Sequence, residues 1–169
     1  RCMDLLGESA RTSANKLKFF RLAFGSAGGF GDFVPSDEAR QAIEGMFVAA
    51  GRVKLGWLVG EEKLSKTATK VLLNLALIAG DALVRGGQLD VGAEKRDGLI
   101  EIVVRAQGQK IVLDAELRAA LCGQIAASGI TSRSAAAWMV RALVEQGAGE
   151  VMLSGENEPA LLFGVSLRA

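Results

Sequence analysis

A chain of 169 residues, half of them hydrophobic, can bury a substantial core, which excludes a disordered segment. Its 20 basic and 19 acidic side chains nearly cancel and are spread along the chain, so bulk charge gives no reason to expect nucleic acid or an anionic membrane as partner. The absence of histidine removes Ser-His-Asp and Cys-His catalysis, histidine metal ligation and imidazole acid–base chemistry from this stretch.

Cys2 and Cys122 lie far apart without CxxC spacing, so neither a zinc site nor a disulfide framework is indicated, and reduced thiols in a cytoplasmic location are expected. The longest apolar run, Val71 to Ala79, is interrupted by Asn74 and falls well short of the roughly 20 residues of a membrane span. No signal peptide is visible.

The first segment places Met3, Leu6, Ala10, Ser13, Leu17, Phe20 and Phe24 at intervals of three and four, the heptad seam of a helix that packs against other helices. Glycines between Gly25 and Gly31 end it. Pro35 and Ser36 open a second helix, with Ser36 as N-cap, Asp37 and Glu38 in the first turn, and an apolar face of Ala39, Ala42, Ile43, Met46, Phe47 and Ala50. Arg52 to Val59 reads as a strand with Val53, Leu55 and Trp57 on one face, and a domain boundary is placed at residues 50–52.

Leu64 to Arg85 reads as a long helix, apolar nearly all round and ended by Gly86 and Gly87. Two runs follow, Gln88 to Gly92 and Leu99 to Ala106, as a hairpin around a charged turn from Ala93 to Gly98. A short helix near Asp114 to Cys122 precedes another capped by Thr131 or Ser132, which runs to about Gln146 and buries Ala135, Trp138, Met139, Ala142 and Leu143. Strands at Glu150 to Ser154 and Ala160 to Leu167 close the chain. The order predicts an α+β sandwich appended to helices.

The stretch Glu8 to Gly25, the strand with Val53, Leu55 and Trp57, the block Lys70 to Gly87 and the helix Ser134 to Gly149 resemble the ChpT-type histidine phosphotransferases. The resemblance covers essentially the whole chain. It implies a helical hairpin that forms a dimeric four-helix bundle over residues 1–50, then a histidine-kinase-like ATPase-type α/β sandwich over 51–169 that has lost its nucleotide site. It assigns the first segment to the second hairpin helix and so places the phosphoacceptor histidine upstream of Arg1, leaving no catalytic residue in this stretch.

In a kinase the block around Val71 to Leu83 carries Asn-Leu-x-x-Asn-Ala, whose second asparagine holds magnesium; here Asn74, Leu75, Ala76, Leu77, Ile78 and Ala79 stand there. Isoleucine offers no oxygen to a hard cation. No DxGxG motif appears between Ala106 and Ser134, and Ser132, Arg133, Ser134, Ala135, Ala136 and Ala137 replace a glycine-rich phosphate loop. No nucleotide, metal or other cofactor is therefore expected. Asn74 is assigned no function, Trp57 and Trp138 are assigned to the core, and Arg133 is left as either a surface residue or a second partner contact.

The implied function is relay of phosphate from the receiver domain of a hybrid histidine kinase to response regulators, by a cytoplasmic homodimer. Candidate receiver-docking residues are Glu8, Arg11, Thr12, Asn15, Lys16 and Phe19, the last because an aromatic side chain off the seam would be exposed on a lone helix. Two alternatives stay open: an ATP-dependent sensor histidine kinase core, and a non-phosphorylated receiver-binding scaffold.

Overall fold

The computed structural model describes residues 1–25 and 31–169. Five strands, β2 (Val53–Val59), β4 (Gly87–Arg96), β5 (Leu99–Gln107), β7 (Leu161–Arg168) and β6 (Glu150–Leu153), form one mixed sheet in the order β2-β4-β5-β7-β6. The β2–β4 pair is parallel and the others are antiparallel. Two short strands, β1 (Phe33–Pro35) and β3 (Lys63–Ser65), make a separate antiparallel pair. The helices are α1 (Cys2–Phe24), α2 (Ser36–Ile43, continued by a π turn over Glu44–Val48), α3 (Lys66–Ala82), α4 (Ala115–Leu121) and α5 (Ala135–Gln146). This is the α+β sandwich that the sequence predicts.

Alternation explains which face of the sheet the core occupies. In β5, Ile100, Ile102, Val104 and Ala106 are buried, while Leu99, Glu101, Val103, Arg105 and Gln107 point outward. Helix α3 lies across the inward face, and every residue from Val71 to Gly80 is buried, as its apolar run requires. The Ser65 side chain accepts from the Ala68 amide at 3.2 Å and starts this helix, so Leu64 belongs to β3 and not to α3 as expected. The hairpin is also tighter than expected. Ala93 to Arg96 continue β4, and Asp97 and Gly98, at φ 53° and 79°, make the two-residue turn that matches strand twist.

Helix α1 uses a different face from its heptad seam. Phe19 and Ala23 are fully buried, whereas Met3, Leu6 and Leu17 stay 65–80 % exposed and Phe20 and Phe24 about 40 %. Phe19 meets Phe47 edge to face, with centroids 6.5 Å apart at 85°. Phe47 in turn lies on Gly80 of α3, where a Cβ would come within 2.5 Å of its ring. Phe19 is thus corrected from an exposed docking aromatic to a core anchor: the α2–α3 surface supplies the apolar cover that a lone helix lacks.

Ser36 does not cap α2 through its side chain. Its hydroxyl donates to the Glu62 carbonyl at 3.2 Å, tying α2 to the segment before β3. Ala50 is exposed, beyond the π turn. The glycine stretch begins at Gly25, which ends α1 in extended backbone; residues 26–30 of that stretch lie outside the described residues. The boundary expected at residues 50–51 falls between the π turn and β2, and a continuous core crosses it, joining Phe19, Ala39, Ile43 and Phe47 to Leu72, Leu75 and the sheet.

Helix α5 begins at Ala135, later than the Thr131 or Ser132 cap predicts, and buries Ala137, Val140 and Val144. The run Ala135 to Val140 is apolar all round, so docking rather than periodicity selects the inward face. Trp57 and Trp138 are half-buried against the core rather than inside it.

Candidate functional site

Two regions carry chemistry-bearing residues. The first is α1. Glu8, Arg11, Thr12 and Asn15 line one open groove of about 590 Å³ with Gly45, Met46, Ala49 and Ala50 from the π turn and the residues after it. Their i, i+3, i+4, i+7 spacing puts all four on one helix face. Thr12 already donates its hydroxyl to the Glu8 carbonyl at 3.0 Å, so its oxygen remains available mainly as an acceptor. Lys16 points elsewhere: its charge acts on Asp81 at the end of α3. Asp81 keeps part of its surface in solvent, but its partial desolvation pushes the carboxyl above its ordinary value, and Lys16 partly opposes the shift. The structure therefore gathers four of the six sequence-derived docking candidates, sets Lys16 apart and buries Phe19.

The second region is the α3–α5 side, where a kinase holds its nucleotide. Ile78 is 3 % exposed and belongs to the core, so an apolar side chain fills the position of the second asparagine. Asn74, one turn earlier, is fully buried, and its amide nitrogen donates to the Ala23 carbonyl at 3.0 Å and the Lys70 carbonyl at 2.8 Å. The Ala23 carbonyl belongs to the last turn of α1, where helix carbonyls lack partners along the helix. Asn74 thereby pins the end of α1 to α3, a role its sequence context gives no sign of. Its Oδ1 is buried without a partner among the described residues.

The segment before α5 is fastened to α4. Asp114 caps α4, accepting from the Glu116 amide at 2.8 Å, and its other oxygen faces Arg133 at 3.4 Å. The Thr131 hydroxyl donates to the Glu116 carboxylate, and the Thr131 amide donates to Ser134 Oγ at 3.0 Å. Ser134 is completely buried. Where a phosphate-binding loop needs free amides and space, side chains of Asp114, Glu116, Thr131, Arg133 and Ser134 hold one another. Arg133 stands at the surface, 69 % exposed, and faces Asp114. The acidic starts of α4 and the hydroxyl run before α5 were the available signals, but only folding shows that they meet. Among the described residues no group of three or more Cys, Asp and Glu is placed to hold a metal ion.

A sheet backed on one face by α3 and α5, with a short helix beside them, is the architecture of the ATP-binding domain of histidine kinases. It is shared, for example, with the nucleotide-free catalytic domain of the histidine kinase ThkA at a TM-score of 0.57 and 14 % identity, over 80 % of this chain and 94 % of that one. Residues 36–159 match the family described as histidine phosphotransferase C-terminal domain. The chain belongs to that family and is of the ChpT type. It is 32 % identical over 109 residues to the protein phosphotransferase ChpT of Brucella abortus (strain 2308), a match covering 64 % of this chain and 52 % of that protein. The chain thus spans about half the length of the curated relative it matches. A solved bacterial phosphotransferase superposes with a TM-score of 0.82 and 25 % identity, covering 96 % of this chain and 77 % of that structure.

Proposed function

We propose that this chain is the platform of a histidine phosphotransferase that passes phosphate from the receiver domain of a hybrid kinase to response regulators without using ATP. The observation that carries this reading is Ile78, an apolar core residue where a kinase needs an oxygen ligand for magnesium. The α4–α5 clasp supports it, because cradling a triphosphate would require breaking the Thr131–Glu116 and Arg133–Asp114 contacts.

The exposed seam Met3, Leu6, Leu17, Phe20 and Phe24 is the surface through which α1 joins a four-helix bundle, made with a preceding hairpin helix and a second copy of the chain. The phosphoacceptor histidine stands on that preceding helix. Receivers dock on the groove lined by Glu8, Arg11, Thr12 and Asn15. We place the division between the bundle and the platform ahead of Ser36, where the match to the family begins, rather than at residues 50–51. The reaction moves a phosphoryl group from a receiver aspartate to histidine nitrogen and on to a second aspartate. Positioning of the partners supplies the protein's share of the catalysis.

The test uses the complete protein with the residues that precede Arg1. A labelled phospho-receiver should transfer phosphate to it within the assay, Arg11→Glu should slow transfer at least tenfold, and calorimetry with Mg-ATP should show no heat of binding. Micromolar Mg-ATP affinity would favour the kinase alternative, and a preceding helix without histidine would leave only a scaffold.

A further inference from the structure

We infer that the open face of the sheet, opposite the helices, docks an amphipathic helix of a partner protein, lying across the strands with lysine or arginine along one flank. Leu58, Gly92, Val103, Gly164 and Met152 are aligned partner to partner from one sheet edge to the other. Leu58, Val103 and Met152 are 73, 45 and 68 % exposed, and nothing among the described residues covers them. The result is an apolar row of three ridges with two notches between them.

The notches are not needed by the chain itself. A Cβ on Gly92 would meet nothing nearer than the Leu58 carbonyl at 3.6 Å, and one on Gly164 nothing nearer than the Met152 methyl at 3.4 Å. Neither glycine has positive φ. Glycine inside a strand is unfavourable and often marks a bulge, a tight bend or the close approach of another body; the pairing register runs unbroken through both glycines, which leaves no bulge here. The two notches lie two strand spacings apart, about 9.6 Å. Side chains at positions i and i+7 of an α-helix are separated by about 10.5 Å, which matches that distance.

Charge sets the flank. The next row holds Glu94, Glu101, Ser166 and Glu150, with Glu94 directly opposite Glu101. Like charges in that relation are unfavourable, yet none of these carboxylates forms an ion pair among the described residues, and Arg96 and Arg168 at the hairpin end pair with none of them. The row on the other side is satisfied internally: Asp90 accepts from Gln88 at 2.8 Å and Arg105 donates to Gln107 at 2.7 Å. Cations on the visiting helix would therefore lie over the glutamate row. This face is separate from α1, so the inference does not depend on the relay reading.

The test is an NMR titration of the chain at 0.15 M salt with a synthetic 21-residue helical peptide, leucine at every seventh position and lysine along one flank. Amide shifts should cluster at Leu58, Gly92, Val103, Gly164 and Met152. The double variant Glu94→Lys, Glu101→Lys should weaken binding at least tenfold, and Gly92→Val with Gly164→Val should abolish it while the chain stays folded. If the valine variant fails to fold, the charge reversal decides alone. Shifts confined to the α1 seam, no shifts at millimolar peptide, or equal binding by a peptide with glutamate in place of lysine would each overturn the inference.

Discussion

Phe19→Ala separates a core role from a docking role by magnitude alone. The ring has no solvent exposure and stands edge to face with Phe47, which itself presses on Gly80 of α3. Deleting a buried phenylalanine costs about 3–5 kcal/mol, of which the aromatic pair accounts for about 1. That is a large share of the roughly 5–15 kcal/mol by which a domain is stable. With an unfolding entropy near 2.1 cal/mol/K per residue, a chain of this length carries about 0.35 kcal/mol/K, so a 4 kcal/mol loss lowers Tm by about 11 °C. Urea unfolding followed by far-UV circular dichroism reads it directly, with a lower midpoint at unchanged slope. A surface aromatic would change stability by no more than about 0.5 kcal/mol. A loss that small would refute the anchoring of α1 through Phe19.

Gly80→Ala forces the Phe47 ring, within 2.5 Å of the new carbon, out of place; a loss of about 1–3 kcal/mol is expected in the same unfolding assay, and Phe47→Leu should relieve part of it. Asn74→Ala removes the donor to the Ala23 carbonyl and should cost about 1–2 kcal/mol, with faster hydrogen exchange over the last turn of α1 than over α5; uniform exchange would argue against a local pin. Asp81 has a raised folded pKa, so the unfolded chain releases its proton first. Stability is then flat below the ordinary carboxylate value and falls as pH rises from there through the folded value. Asp81→Asn should remove that fall and leave the acid side unchanged, as measured by Tm from pH 3 to 7.

The sequence alone determined most of the inventory of elements and the replacement of the kinase's second asparagine by Ile78. Apolar runs and strict alternation are local properties, so the burial of Val71 to Gly80 and the inward set of β5 follow from one stretch of chain at a time. The replacement of an oxygen-bearing ligand by Ile78 is likewise a statement about one side chain. The three-residue strands β1 and β3 escaped because so short a segment has no period to read.

Only the tertiary structure decided which faces meet. Seven apolar or small residues mark a seam on α1, yet the chain buries the neighbouring stripe of Phe19 and Ala23, because α2 and α3 present Phe47 and Gly80 there and leave the seam uncovered. The joining of Asn74 to Ala23 across 51 positions, and of Thr131 to Glu116 across 15, depends on how helices dock, which neither period nor propensity specifies. The row from Leu58 to Met152 exists only through the register of five strands, since each of its residues is unremarkable where it stands in the chain.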